Sequence, residues 1–278
     1  MAPASLTISI VTHAPDERLL ARTLARTAEA IACARERATL AVARVRIVDN
    51  GPEGLAPMLA KLGEAALARA EGTGLDVITG HGNVGFGRGH NLALANSTGE
   101  FHLILNPDVE MAANAIDAAL RYLGEHPEAG ALTPAVRAPD GEREYLVKAF
   151  PTPGVLFIRG FVPRLLHGFF RKRLDAYELR HLDWDVEQSP VTLASGCFLF
   201  CRSAALEAVK GFDPAYFLYF EDFDLTLRLS KVTTVAYCPR VAIVHHGGRA
   251  ASKGWRHVSW FVKSARRFFA SHGSPVQV

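Results

Sequence analysis

The sequence lacks the features that mark several specialised classes of protein. Only four cysteines occur in 278 residues, without C-x-x-C spacing, so reduced thiols in a cytosolic protein are expected. No apolar run approaches the roughly 18–20 residues that span a bilayer, and we expect no secretory signal at the N-terminus. The net charge of +3 is too small to indicate nucleic-acid binding by itself.

What is present is the composition of an ordinary globular protein, with 49% apolar and 21% charged residues. Over the first 125 residues, short β-rich runs alternate with helical periodicity, which predicts a Rossmann-like, mainly parallel sheet covered by helices. Ligands bind beyond the carboxyl ends of the strands in such sheets. Asp49, Asn83 and Asp108 lie at or just after predicted strand ends.

The second half of the chain has a different pattern. Residues 131–150 are interpreted as irregular strands, 151–190 show no clear period, and 191–202 form a strong strand signal. An aromatic strip then leads into a helix, a β-like segment follows, and residues 254–272 are predicted to form an amphipathic helix. We find no linker or repeat, so 1–278 is interpreted as one domain. Its parts are 1–125, 126–253 and 254–278.

Two segments of the first half combine turn chemistry with ligand chemistry. The segment "HGNVGFGRGHN" (81–91) has four glycines within eight residues before a helix predicted to end near Gly99. It fits either a plain turn or a phosphate-binding turn. "NPD" (106–108) offers Asp108 as a ligand for a hard divalent cation, with Asn106 supporting it. Alternatively, it is only a turn whose aspartate caps a following helix.

Two segments of the second half carry further titratable groups. Glu221 and Asp222 follow an aromatic run at the start of a helix, and this position suits either a general base or acidic capping. Asp224 and Arg228 are four residues apart and are predicted to pair. His245 and His246 close an apolar strand, as structural residues or as metal ligands.

Taken together, six motifs resemble glycosyltransferase family 2, and within it the rhamnosyltransferase-like branch. They are "VDNG", "NVGFGRGHN", "LILNPDV", "SGCFLF", "GFDPAYFLYFEDFDLTLR" and "VHHGG". The resemblance implies a GT-A fold: an α/β architecture with a Rossmann-like, mostly parallel central sheet and an antiparallel extension on the acceptor side. It also implies an inverting transfer of a sugar from a nucleotide donor.

The resemblance assigns a role to each candidate residue. Asp222 would be the catalytic base, and Glu221 would orient the acceptor, with Gly196 and Cys197 lining the acceptor side. Asp108 and His245 would hold Mg²⁺ or Mn²⁺, and His246 is the less favoured histidine. The residues assigned to the donor are Thr12, Asp49, Asn83, Arg88, Asn91 and Asn106.

Departures from the family pattern keep alternatives open. "VTHAPDE" and "DNGPEG" differ from the common motifs near the base and ribose, and Asn106 replaces an anionic ligand, which leaves weak or absent metal dependence open. The expected donor is dTDP-L-rhamnose and the expected acceptor a lipid-linked cell-surface glycan. A UDP-sugar donor, or a catalytically silent nucleotide-sugar-binding subunit, is the alternative.

Two amphipathic segments suggest a membrane surface. On the final helix, one predicted face consists of Val258, Phe261, Val262, Ala265, Phe268 and Phe269, and this stripe taken alone is expected to contact the core. Trp260 would lie among cations on the other face, as in an interfacial helix. Residues 154–174 add apolar and basic side chains. The hypothesis is a cytoplasmic protein attached peripherally to the inner face of the membrane.

Overall fold

The fold is built around one large mixed β-sheet. The structure is a computed structural model that describes residues 2–95, 97–247 and 254–273. Within these residues the main sheet has nine strands in the order β3-β2-β1-β4-β10-β6-β11-β5, with β7 paired to β6. The strands β8 and β9 pair separately. The strands are β1 Ala4–Thr12, β2 Leu40–Asp49, β3 Gly74–Ile78, β4 Phe101–Leu105, β5 Val109–Met111, β6 Ala129–Arg137, β7 Arg143–Glu144, β8 Val147–Lys148, β9 Leu193–Ala194, β10 Phe198–Arg202 and β11 Thr234–His245.

Helices cover the sheet and connect its strands. They are α1 Glu17–Glu36, α2 Ala56–Leu67, α3 Phe86–Leu94, α4 Ala115–Glu125, α5 Pro153–Phe161, α6 Arg171–Tyr177, α7 Ser203–Ala208, α8 Glu221–Leu229 and α9 Gly254–His272, with a 3₁₀ helix at Arg164–Phe170. None of the helices in the described ranges is both long enough and apolar enough to span a bilayer.

The predicted fold class is confirmed, because the first four long strands are parallel and the later ones add antiparallel pairs. β2 and β4 flank β1 in parallel, whereas β10 pairs with β4 and β6 in antiparallel. Every residue of β4 is buried, as expected for a strand covered on both faces. The apolar spacing of α1 has the same origin, since Leu20, Leu24 and Ile31 are fully buried against the sheet.

Some local predictions were wrong. The strand expected over 191–202 is two strands separated by Ser195, Gly196 and Cys197. The helix expected to end near Gly99 ends at Leu94. Gly99 serves a different purpose, because a Cβ there would lie 2.8 Å from the backbone nitrogen of Thr7. The second glycine of "VHHGG" and the tail beyond residue 273 lie outside the described residues.

The final helix is confirmed, and most of its predicted apolar face packs against the protein, whereas Val262 and Trp260 differ from the prediction. Phe268 is fully buried, whereas Val262 is 37% exposed. Trp260 packs on Phe217, with ring centroids 4.7 Å apart, so it is not the exposed tryptophan that was expected. The hydroxyl of Ser264 donates to the Leu218 carbonyl at 2.8 Å, and this bond turns that side of α9 towards the protein.

Candidate active site

The "NPD" turn is held in place by hydrogen bonds between its backbone groups and three distant segments. The Asn106 N–H donates to the Cys197 carbonyl at 2.8 Å, and the Thr23 hydroxyl donates to the Pro107 carbonyl at 2.9 Å. The Asp108 carbonyl accepts from the His246 N–H at 3.0 Å. The strand β5 follows directly, so Asp108 caps no helix and its carboxylate is available for another purpose.

The oxygen atoms of this turn have the character of cation ligands. Asn106 Oδ1 and Asp108 Oδ1 are buried and have no hydrogen-bond partner among the described residues. Asp108 Oδ1 faces His245 Nε2 at 3.7 Å, because β11 pairs His245 with Val109. That separation is too long for a hydrogen bond. His246 instead contacts Glu110 at 2.8 Å, which favours His245 as the ligand.

Glu144 is a member of this site that the sequence did not reveal. Its Oε2 lies 3.2 Å from His245 Nδ1. When Nδ1 carries the proton and donates to Glu144, the lone pair of Nε2 faces the Asp108 oxygen. Two facing acceptors and a neighbouring amide oxygen suit a divalent cation. However, no three His, Cys, Asp or Glu side chains converge on one point within the described part of the chain.

The dipeptide Gly196–Cys197 joins the "NPD" turn to the Glu-Asp pair. The Gly196 N–H donates to Asp222 Oδ2 at 3.0 Å, and the Cys197 carbonyl accepts from Asn106. Burial, together with the charges of Asp108 and Asp222, raises the pKa of the Cys197 thiol to about 12. Both carboxylates therefore lie near the same thiol, in one site.

Burial dominates the electrostatics of the Glu-Asp pair. Glu221 is 4% exposed, and its Oε2 has no hydrogen-bond partner within the ranges described. Burial, followed by the charge of Asp222, raises the pKa of Glu221 to about 8. Burial also raises the pKa of Asp222, although the N–H groups of Gly196 and Phe223 oppose this shift. The favourable end of the α8 dipole is outweighed.

The two residues before Glu221 and Asp222 have a strained backbone, which determines where this pair of carboxyl groups lies. Tyr219 and Phe220 have φ of 73° and 65°, in the left-handed region that non-glycine residues rarely adopt. The helix α9 supports both: the Tyr219 hydroxyl lies 2.9 Å from His257 Nδ1, and the Phe220 ring packs 5.3 Å from that of Phe268.

The predicted Asp224–Arg228 pair is confirmed, at 2.7 Å. Asp224 is buried rather than exposed. Its other oxygen lies 2.7 Å from His272 Nε2, and this contact ties the end of α9 to α8.

On the donor side, the sequence analysis did not identify Asn50, which connects the end of β2 to the glycine-rich segment. Thr12 and Asp49 pair in register and are buried, and Asp49 Oδ1 accepts from the Gly51 N–H at 2.8 Å. Asn50 makes the longer connections: its Nδ2 donates to the Gly85 carbonyl at 2.9 Å, and its Oδ1 lies 3.0 Å from His81 Nε2. Nothing local in "VDNG" distinguishes Asn50, because its partners are more than 30 residues away.

The glycine-rich segment is fastened to the loop before α8. A Cβ on Gly85, whose φ is +89°, would lie 2.2 Å from the Phe217 carbonyl oxygen. Arg88 Nε donates to the Pro214 carbonyl, and the Asn91 amide exchanges two bonds with the Phe212 backbone, at 2.8 and 2.9 Å. Asn91 is therefore engaged by the protein itself. Contacts of Asn83, Arg88 and Asn91 with a donor stay predictions.

The sequence of the chain is similar to those of known proteins of one family. The model of glycosyl transferase family 2 matches residues 8–207. An N-acetylglucosaminyl-diphospho-decaprenol L-rhamnosyltransferase of Mycobacterium tuberculosis is 32% identical over 62% of this chain and 55% of its own. The chain thus spans about half the length of that relative. Rhamnosyltransferase WbbL of Escherichia coli is 29% identical over 71% of this chain and 74% of its own.

A solved structure shares the fold. Mannosyltransferase PcManGT from Pyrobaculum calidifontis, in complex with GDP-Man and Mn²⁺, superposes with a TM-score of 0.63 at 15% identity. The match covers 99% of this chain and 67% of that one. The fold is that of the GT-A glycosyltransferases.

The buried Glu221 generates a prediction about stability and pH. Its folded-state pKa of about 8 exceeds the ordinary glutamate value of 4.5, so the folded state binds more protons than the unfolded state between these pH values. The contribution of Glu221 to the stability of the folded state is therefore fully present below about pH 4.5, and it is lost as the pH rises towards 8. Glu221→Gln should raise the melting temperature at pH 8.5, at about 2–4 °C per kcal/mol gained, and change it little at pH 4.5.

Differential scanning fluorimetry at the two pH values checks this expectation. The exposed Glu207→Gln serves as control and should change stability by less than about 0.5 kcal/mol at either pH. An equal gain from Glu221→Gln at both pH values would contradict the assigned ionisation.

Proposed function

Because the chain belongs to glycosyltransferase family 2, we propose that it transfers L-rhamnose from dTDP-L-rhamnose to a lipid-linked glycan, with inversion at the anomeric carbon. The observation that supports the mechanism is the connection of Asn106 and Asp222 through Gly196–Cys197, which links the proposed cation-binding turn to the proposed base. The printed names of the two rhamnosyltransferase relatives support the donor sugar, and the M. tuberculosis name supports a lipid diphosphate acceptor.

Asp222 acts as the general base in this proposal. Its carboxylate takes the proton of the acceptor hydroxyl while that oxygen bonds to the anomeric carbon. The bond from this carbon to the diphosphate breaks, and the nucleoside diphosphate leaves with the electron pair. The two N–H donors fix the orientation of the carboxylate, and burial makes it a stronger base than an exposed aspartate.

Asp108 and His245 hold a divalent cation in this proposal, with Glu144 fixing the imidazole. The buried, unpartnered oxygens of Asn106 and Asp108 support this assignment. When bound, Mg²⁺ or Mn²⁺ would neutralise negative charge on the departing diphosphate. Thr12, Asp49, Asn83, Arg88 and Asn91 are assigned to the donor side.

The acceptor side consists of Glu221, Gly196 and Cys197. Glu221 has a pKa of about 8 and is protonated near neutral pH, so it can donate a hydrogen bond as well as accept one. We assign it the orientation of the acceptor hydroxyl. Since a Cβ on Gly196 would lie 3.2 Å from Asp222 Cβ, a larger residue there would crowd the base.

An exposed apolar surface supports contact with a membrane. It consists of Phe157, Leu165, Leu166 and Phe169, of which Leu165 is 96% and Phe169 85% exposed. Residues 145–174 contain six lysines and arginines and no acidic residue. Apolar side chains among cations match the interface of an anionic bilayer, so we propose peripheral attachment through this surface.

The assignment of the base predicts the effect of Asp222→Asn. The amide keeps the size of the side chain but cannot take a proton, so kcat should fall by about 10²–10⁴-fold. Binding of dTDP-L-rhamnose, measured by calorimetry, should change by less than about twofold. Release of nucleoside diphosphate in the presence of a lipid-linked acceptor measures the turnover, and UDP-sugars are compared as donors.

The matched control is Asp140→Asn, an exposed turn residue whose bond to the Glu142 N–H an asparagine can keep. It should leave kcat unchanged. Undiminished turnover by Asp222→Asn would rule out this base, and turnover with UDP-sugars alone would replace the proposed donor.

The cation assignment predicts a difference between two adjacent histidines. His245→Gln should weaken Mn²⁺ binding by about tenfold or more, and Glu144→Gln by about 10–100-fold, because the orienting partner is lost. His246→Gln, whose histidine is engaged by Glu110, should bind Mn²⁺ as the wild type does. Calorimetry with dTDP present measures these affinities. Equal effects of both histidine substitutions would contradict the assignment.

The membrane assignment predicts that the wild type floats with vesicles containing anionic phosphatidylglycerol. The double substitution Leu165→Ser with Phe169→Ser should abolish flotation, because it removes the most exposed apolar side chains. Val262→Ser, exposed on α9, is the control and should float normally. Flotation that is unchanged by the double substitution and by omission of anionic lipid would refute the surface.

A further inference from the structure

A carboxylate close to the acceptor side is shared by three cations. Glu178 lies 3.3 Å from Lys148 Nζ, 2.8 Å from an Arg159 nitrogen and 2.7 Å from an Arg180 nitrogen. We call Lys148, Arg159 and Arg180 the basic cluster. Its lysine side chain is 7% exposed, whereas the two arginine side chains are 42% and 48% exposed, so the cluster is open to solvent on the arginine side.

Positive charge exceeds negative charge within this cluster. Glu178 and Asp175, which lies 3.3 Å from an Arg180 nitrogen, supply two negative charges against three positive ones. An ammonium as deeply buried as that of Lys148 is costly when it is not fully paired. Burial and then repulsion from Arg159 lower the pKa of Lys148 to about 8, despite the attraction of Glu178. Both Lys148 and Arg159 also lie over the ring of Tyr177, at 5.5 and 5.4 Å. An additional anion would balance this arrangement.

The secondary structure connects the cluster to the proposed base. Lys148 pairs with Leu193 across the β8–β9 ladder. The next residue, Ala194, donates its N–H to the Thr226 hydroxyl at 3.4 Å, and that hydroxyl lies 3.1 Å from the Asp222 carbonyl. Neighbouring strands lie about 4.8 Å apart, so the cluster is separated from the base-bearing helix by a single strand.

The helix α5 connects the same cluster to the exposed apolar surface. Arg159 is on α5 with Phe157, which is 60% exposed, and the 3₁₀ helix with Leu165 and Phe169 follows. The connections through α5 and through the β8–β9 pair therefore run from the apolar surface to the basic cluster and then to the proposed base. An amphipathic acceptor with an apolar tail, an anionic linkage and a sugar hydroxyl has the same order of groups.

We propose that Lys148, Arg159 and Arg180 bind the phosphate or diphosphate that links the acceptor sugar to its lipid. This subsite rests on the proposed function, because it presumes a lipid-linked acceptor. Arginine and lysine are the side chains that bind phosphate groups most strongly, and the two half-exposed arginines can turn towards such a ligand. Glu178 then holds the cations in place until the anion binds.

Equilibrium binding tests the subsite without turnover. In EDTA, which keeps divalent cations away from Asp108, the wild type should bind geranyl diphosphate more tightly than geraniol. Arg159→Gln should weaken binding of the diphosphate by about tenfold or more and leave geraniol within twofold. Calorimetry measures both ligands. Equal affinity of the wild type for geraniol and its diphosphate would overturn the proposal.

A matched control separates the cluster from a general effect of charge. Arg240 is also 48% exposed, pairs with Glu125 and Glu187, and lies 6.0 Å from the ring of Tyr122. Arg240→Gln should bind geranyl diphosphate within twofold of the wild type. Equal weakening by Arg240→Gln and Arg159→Gln would show a long-range charge effect and overturn the subsite.

Steady-state kinetics test the same subsite during transfer. With a short-chain N-acetylglucosaminyl diphospholipid, Arg159→Gln should raise KM about tenfold or more with kcat within twofold. With octyl N-acetylglucosaminide, which has no phosphate, KM should be unchanged. A rise of KM for both acceptors would indicate a structural role and contradict the subsite.

Two further results separate the possible failures. Cluster-dependent binding of geranyl diphosphate without sugar transfer to any lipid-linked acceptor would support the subsite and refute the proposed function. Vesicle flotation distinguishes a membrane headgroup from the acceptor. If Arg159→Gln reduced flotation more than Arg171→Gln but left KM for the diphosphate acceptor unchanged, the cluster would serve the headgroup, and the proposal would be wrong.

Discussion

The arrangement of the site depends on two backbone hydrogen bonds made by adjacent residues. Gly196 donates to the Asp222 carboxylate, and Cys197 accepts from Asn106. Asn106 and Asp222 are 116 residues apart in sequence (222 minus 106), and neither segment positions the other directly. The break between β9 and β10 therefore has a purpose: it frees the Gly196 N–H to bind the Asp222 side chain. The Cys197 carbonyl continues the antiparallel register of β10 and β4 by one residue, to the backbone of Asn106. Glycine fits because a Cβ would crowd Asp222 and the Phe86 ring.

The sequence predicted those features that depend on local spacing. Full burial of β4, the buried face of α1 and the Asp224–Arg228 pair follow from periods of two or three to four residues. Asp108 and Asp222 could be selected as candidates because a strand end and a helix start are visible in the chain. For these features, residues within one turn or one strand contain the whole signal.

Features that depend on long-range pairing could not be predicted. Glu144 meets His245 only because β7, β6 and β11 are neighbours in the sheet, and the two residues are 101 positions apart. Asn50 binds the carbonyl of Gly85 for a similar reason. The predicted exposure of Trp260 was wrong because Trp260 and Ser264 find partners at Phe217 and Leu218, which no helical period encodes.

Two kinds of unfavourable local feature, backbone strain and an unpartnered buried group, coincide at the start of α8. Two left-handed aromatic residues, at about 1–3 kcal/mol each, precede a buried glutamate whose Oε2 has no hydrogen-bond partner within the described residues. Such a segment persists only where its surroundings over-determine it, and α9 provides that support through His257, Phe268 and His272. Since a more relaxed backbone would turn the Glu-Asp pair away from Gly196, the strain and the proposed base have the same structural cause. The final helix therefore supports the segment that carries the proposed base.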